Sequence, residues 1–554
     1  MLLNLLFACA DPGVGRRDRS ATDGDGAQIG DSAATSDSAP PVDSGGEGIT
    51  VELGDVVTCA DPSARATTPL QRANLGAEWD AQPVAGSDMA MAGGGVTVAD
   101  FTGDGRLDIY LPEYGTDLLY VAGTDGLVHE QASARLPDTR GAEHAVGGTA
   151  VDIDGDEDLD LFVSYQLGGM RLYINDGTGT FAAGTAEAGL AGFSWPNAGS
   201  AFGDMDGDGD LDLAVTVLRD CLSDDLAPAD RVLWENQGDA TFVDVTHRLG
   251  SVDILGMQGR LASWIDTDDD GDVDLYLVAD APVEPACGTG NVLYLNDGGA
   301  FSRSPDTMGF NIRVLGMGLG VADVNDDGLP DVLVADEGRL ELLESSGGVW
   351  FDSAIARGLV VAPDVDSRLD AWGVEFADVD NDGDDDAPMV FGPTYEGARV
   401  APDEPDALWR QDDAGQFADV AFDWGWADAR NMRGLAVIDL DGNGFVDLIR
   451  HEIFGPADAW VSACDANTWL EVDVRQGAPN TRAVGAIIDV VSGDRRWRRW
   501  VHAGGTSYNS STEPTVHFGL GTAAAVDIHV RWPDGATSGV SDVGVNRRVR
   551  IRRQ

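Results

Sequence analysis

From about residue 95 to residue 465 the chain repeats one arrangement of apolar and polar positions. Runs such as LDLFVSY, LDLAVTV, VDLYLVA and PDVLVAD alternate or string together β-branched, aromatic and leucine side chains, the pattern of strands. A Gly-containing segment that ends in alternating apolar residues precedes each run, as in GGTAVDID and GLGVADVN. Further along come a third run, a Gly-containing hairpin and a fourth, as in RLYINDGTGTF, VLWENQGDATF, NVLYLNDGGAF and ALWRQDDAGQF. Strand, loop, strand, strand, hairpin and strand together make one four-stranded antiparallel sheet.

Polar residues mark the repeat more sharply than apolar ones. Between the first and second runs lies an acidic loop: DFTGDGRLD from Asp100, DIDGDEDLD from Asp152, DMDGDGDLD from Asp204, DTDDDGDVD from Asp266, DVNDDGLPD from Asp323, DVDNDGDDD from Asp378 and DLDGNGFVD from Asp439. The intervals between them are 52, 52, 62, 57, 55 and 61 residues. A period of this length signals propeller blades or solenoid turns, so the pattern predicts an all-β, seven-bladed propeller. The seventh copy lacks its outer strand, which the residues at about 50–85 are expected to supply, closing the ring.

Clustered aspartates repel one another unless something offsets their charge. Asp or Asn at loop positions 1, 3, 5 and 9, with a Gly that permits the bend, turns hard oxygens toward one centre, the ligand set that Ca²⁺ prefers. The expected ligands are Asp100, Asp104 and Asp108 in the first loop and Asp152, Asp154, Asp156 and Asp160 in the second. Asp204, Asp206, Asp208 and Asp212 serve the third, and Asp266, Asp268, Asp270 and Asp274 the fourth. Asp323, Asn325, Asp327 and Asp331 serve the fifth, Asp378, Asp380, Asp382 and Asp386 the sixth, and Asp439, Asp441, Asn443 and Asp447 the seventh. About seven calcium sites are expected. The first is the weakest, because Thr102 stands at position 3; loops three, four and six carry the most carboxylates.

Composition agrees with a cation-binding chain. Asp and Glu number 96 against 35 Arg, with no Lys, giving a formal net charge of -61. Such a balance excludes nucleic acid as a partner, and 43% hydrophobic residues exclude wholesale disorder. The first residues, MLLNLLFAC, resemble the end of a bacterial lipoprotein signal (residues 1–9), with Cys9 as the lipidated residue. Residues 10–50 are poor in large apolar side chains and read as a flexible tether. Exposure to the outside, at a bacterial surface or in the periplasm, follows as an expectation, with a lipid at Cys9 as the sole membrane contact. The other four cysteines allow three pairings, of which the repeat map favours Cys59–Cys464 and Cys221–Cys287.

The composition changes after the propeller segment, 51–465. Residues 466–554 lack acidic loops and read as a small β-sandwich or barrel. Residues 475–554 hold 12 Arg against 6 Asp and Glu. Within the cluster DRRWRRW, Arg495, Arg496, Arg498 and Arg499 are expected either to dock on the acidic rim or to grip an anionic glycan. Arg260, Arg313 and Arg433 precede acidic loops and are candidates to line a central channel and hold an anionic ligand. HExxH, GxSxG and phosphate-loop motifs are absent, and no catalytic residue is assigned.

The acidic loops flanked by strands resemble the FG-GAP/VCBS repeats of integrin-type propellers. HFGLG (His517–Gly521) and VRWPDG (Val530–Gly535) resemble the ASPIC/UnbV domain. Propeller repeats followed by that domain resemble the cartilage acidic protein family and its bacterial relatives. The resemblance implies a secreted or surface-exposed calcium-binding protein without a known reaction. Function is therefore expected in adhesion or recognition of an extracellular protein or glycan, the alternative being a channel-centred enzyme or lectin acting on anionic saccharides.

Overall fold

A computed structural model describes residues 48–554 except 61, 64, 66–67, 74–92, 114–115, 138–143, 167–168, 194–195, 219–231, 251–257, 282–289, 362–368, 394–403 and 454. Strands dominate, and each α-helix is a single four-residue turn. Among the described residues, seven small sheets each carry one acidic loop between their first two strands. In the second sheet, Ala145–Val151, Asp160–Tyr165, Gly169–Asn175 and Phe181–Ala183 pair in sequence order. The others repeat this meander, and the protein is all-β and propeller-like.

Apolar side chains bury themselves between sheets rather than within them. One cluster joins the first and second sheets through Tyr110, Leu161 and Val163. Others follow around the ring, and the last joins Ile449 of the seventh sheet to Val98 and Ile109 of the first. The outer strand of the seventh sheet is Leu70–Arg72, paired with Ala457–Ser462. Next to this seam Cys59 and Cys464 form a disulfide with Cα atoms 5.6 Å apart. Cys9, Cys221 and Cys287 lie outside the described residues.

The C-terminal module is a sandwich of two four-stranded sheets around a core that includes Leu470, Val472, Ile488, Ile528, Trp532 and Ile551. One expectation needs correction here. Ile49–Leu53, placed by sequence partly in the tether and partly in the propeller, pairs along Arg547–Arg553 in this module. Its alternate residue Val51 enters the module's core, with Ile49 and Leu53 packed against it, so burial decides its partner.

The module also fills the centre of the ring. Ala503–Gly504 pairs with the first strand of the third sheet, and Ser511–Thr512 runs parallel to the first strand of the first sheet. Between them, Ser507 exchanges backbone hydrogen bonds with Leu319 of the fifth sheet and donates its hydroxyl to Leu435 O of the seventh at 2.7 Å. A Cβ on Gly95 or Gly147 would lie 2.0 or 2.4 Å from Asn509 O, so only glycine allows this approach. Tyr508 is fully buried and meets Trp372 edge to face, 5.0 Å between ring centres.

Candidate metal centre

Each acidic loop is held by the same hydrogen-bond circuit. The position 1 carboxylate accepts N–H groups from the far side of its own turn: Gly207 and Gly209 donate to Asp204 at 2.9 and 3.0 Å, and Asp382 and Gly383 to Asp378 at 3.0 and 2.6 Å. The position 5 side chain accepts from the N–H at position 7, as Asp210 donates to Asp208 and Asp384 to Asp382. These bonds fold the turn, and in five of the loops carboxylate oxygens are left facing one another.

Position 9 does more than end the loop. Asp212 accepts from Met205 N and Asn236 N, both at 2.8 Å, pinning the loop to the third strand. Asp160, Asp274, Asp331, Asp386 and Asp447 are used in the same way, and Asp108 likewise accepts from Thr102 N and Ala122 N. All seven are buried. The residue where the pin lands adds a tie between sheets: Asn175 Nδ2 donates to Phe101 O, and Asn296 Nδ2 to Met205 O. This tie was not anticipated, although the Asn or Gln that recurs before the hairpins (YIND, WENQ, YLND, WRQD) was its visible signal.

The donor set fits a hard cation. Carboxylate oxygens converge within 4.8 Å of one another in five groups: Asp152, Asp154 and Asp160; Asp204, Asp206 and Asp212; Asp266, Asp268 and Asp270; Asp378, Asp380 and Asp386; Asp439, Asp441 and Asp447. The first and fifth loops, with Thr102 and Asn325 at position 3, supply no such group among the described residues. Asp206 Oδ1, Asp266 Oδ1, Asp323 Oδ1 and Asp380 Oδ1 are buried without a hydrogen-bond partner in the protein, an arrangement that costs free energy unless positive charge, from a cation or a neighbouring guanidinium, offsets it. Burial, then neighbouring carboxylates, raises the Asp154 carboxyl to about 6. Burial likewise raises Asp204 to about 6, Asp160 to about 8 and Asp212 to about 9. Calcium fits these groups as oxygen ligands with charge to neutralise.

The basic cluster meets this rim. Arg495 pairs with Asp384 and Arg499 with Asp385 in loop six, while Arg496 lies 3.5 Å from Asp323 in loop five. Arg498 donates to Gly328 O and Trp497 Nε1 to Gly383 O, at 2.7 and 2.9 Å. Arg531 reaches Asp266, and the Thr481 hydroxyl donates to Asp152. Of the two uses expected for the cluster, its side chains are engaged in docking on the rim.

The channel arginines are not brought together as a ligand site. Arg260 is buried against Asp280 at 2.7 Å. Arg433 is buried over the Trp372 ring at 3.8 Å and donates to Met432 O and Pro393 O. Both face the Tyr508 plug. Arg313 is exposed. The expectation of an open channel lined by these groups is corrected: Ser507 and Tyr508, 60 residues and more beyond the last acidic loop, occupy the axis, a placement no local pattern encodes.

Sequence comparison agrees with this architecture. A profile described as FG-GAP-like repeat matches residues 152–215, 266–334 and 323–387. A profile described as ASPIC and UnbV matches residues 476–554. The chain carries FG-GAP-like repeats and a C-terminal ASPIC and UnbV domain. Cartilage acidic protein 1 of Mus musculus is 33% identical over 110 residues, 18% of this chain, and the match spans only 16% of that relative's length. Among solved structures, an Agrocybe aegerita lectin that recognises non-reducing terminal N-acetylglucosamine aligns over 61% of this chain and 83% of its own, at 17% identity and TM-score 0.39. The Photorhabdus luminescens Tc holotoxin pore aligns over 74% of this chain and 16% of its own, at 14% identity and TM-score 0.34. Neither likeness carries a functional argument.

Proposed function

We propose that this FG-GAP-like repeat protein is an exported, calcium-stabilised propeller of seven blades that acts by binding an extracellular protein or glycan, in adhesion or recognition, without catalysis. The observation that carries the reading is the repetition of one circuit: every loop spends its backbone N–H groups on holding carboxylates together, and five loops bring those carboxylates within 4.8 Å. Turns so built favour a structural cation, and extracellular modules bind calcium at roughly 10⁻⁴–10⁻³ M, a range met outside cells. With the ring's axis filled by Ser507 and Tyr508, binding falls to the outer surface and connecting loops. The alternative of a channel-centred enzyme or lectin loses its support, because Arg260 and Arg433 are buried and engaged.

A glycan and protein array probed with and without calcium tests the reading. Ligands captured only in calcium support it. Turnover of an anionic saccharide, or calcium-independent melting of the fold, overturns it. Lipid at Cys9 belongs to the same proposal, and mass spectrometry of the protein from a bacterial membrane fraction checks it.

A further inference from the structure

Loops three and six look interchangeable in sequence, yet their surroundings differ in sign. The residue just before the position 9 pin decides this. In the third sheet it is Glu235, followed by Asn236, whose N–H donates to Asp212. In the sixth it is Arg410, followed by Gln411, whose N–H donates to Asp386 at 2.9 Å. The two residues occupy the same register, opposite Val243 and Ala418 in their hairpins.

Arg410 reaches into loop six itself. Its Nε donates to Asp380 Oδ2 and its Nη2 to Asp382 Oδ2 at 2.6 Å, the position 3 and position 5 side chains. Arg65, buried and donating to Val379 O at 2.8 Å, adds positive charge that acts on Asp380, Asp386 and Asp378. Arg495 and Arg499 take Asp384 and Asp385. Six loop carboxylates therefore face four guanidinium groups. In loop three, Asp204, Asp206, Asp208, Asp210 and Asp212 are joined by Glu235. Among the described residues, Arg248 is the arginine that pairs with them, 3.7 Å from Asp206 and paired mainly with Glu235.

We propose that loop six is closed by the Arg410 guanidinium in place of a divalent cation, so that this chain requires fewer calcium ions than it has acidic loops. A guanidinium offers planar, paired N–H donors that match two carboxylates and remains charged at any physiological pH. Held this way, Asp380 Oδ2 and Asp382 Oδ2 are withdrawn from a cation; Asp380 Oδ1 stays unpartnered beside Asp378 and Asp386, but the added positive charge offsets this group and opposes the entry of a second cation. The inference rests on the calcium reading above and refines which loops take the ion.

Equilibrium dialysis of the intact chain against radioactive calcium at about 1 mM, near the affinity range of such sites, tests it. Asp206→Asn in loop three is expected to lose about one bound ion per chain. Asp380→Asn in loop six is expected to lose none, and Arg410→Met to gain about one. An ion lost on Asp380→Asn, or no gain on Arg410→Met in a variant that melts as a folded protein, overturns the proposal. A wild-type chain that binds no calcium overturns the calcium reading and this proposal together, an outcome distinct from either variant result.

Discussion

Loop three and loop six share their spacing, their turn and their hydrogen-bond circuit, and differ in what neutralises them. Loop three gathers carboxylates with one peripheral arginine paired to it among the described residues. Loop six has arginines from three places in the chain: Arg65 before the ring, Arg410 in its own sheet, and Arg495 and Arg499 in the C-terminal domain. The lesson is that counting carboxylates measures how much charge must be offset, and not by what. An acidic turn can be satisfied by a metal or by the protein itself.

The largest expected effect tests what the two loops have in common. Asp212→Ala and Asp386→Ala each leave two buried N–H groups unpaired, so each variant should lose about 3 kcal/mol in urea unfolding with calcium present. A loss below about 1 kcal/mol would show that position 9 serves only a cation. Next comes removal of the ion. Each filled site contributes about 1.4 kcal/mol at ten times its Kd, so a chelator should lower the melting temperature of the wild-type chain. Asp206→Asn should shrink that drop and Asp380→Asn leave it unchanged; equal behaviour of the two variants would erase the contrast.

The third expectation concerns pH. Burial holds Asp160 and Asp331 at about 8 and Asp212 at about 9, well above the range near 4 where unfolded carboxyls titrate. Without a cation the folded state binds these protons more tightly than the unfolded chain does. Stability is then highest below about pH 4 as far as these groups are concerned, and falls as pH rises through about 9. Calcium should remove this decline, which melting curves at several pH values with chelator or calcium would read. The smallest effect is expected from Glu235→Gln, which lowers calcium affinity at loop three about threefold, since that carboxylate is already shared with Arg248.

Much of the ring was legible because its signals are local. Alternating strands, Asp-rich turns and Gly hairpins all lie within one repeat, and the missing strand of the seventh sheet announced a seam that Leu70–Arg72 fills. The rest depended on partners distant in sequence. Nothing near Arg410 distinguishes a solvated arginine from one turned onto Asp380 and Asp382. Ser507 and Tyr508 sit in a Gly- and Ser-rich stretch that reads as an ordinary loop, and only the narrow approach left by Gly95 and Gly147 makes it a plug. Ile49–Leu53 carries a strand's alternation, but alternation does not name a partner.

That first strand has a consequence for the order of assembly. Ile49 pairs with Arg553, almost the full length of the chain away. The ring's axis is likewise filled by residues made after all seven sheets. Contacts between such distant residues are the slowest to form, so emerging sheets must wait, with their inner faces bare, until synthesis has delivered the final residues. A chain stopped short of those residues would leave a hollow wheel with an unpaired leading strand, a form suited to capture by chaperones and to degradation.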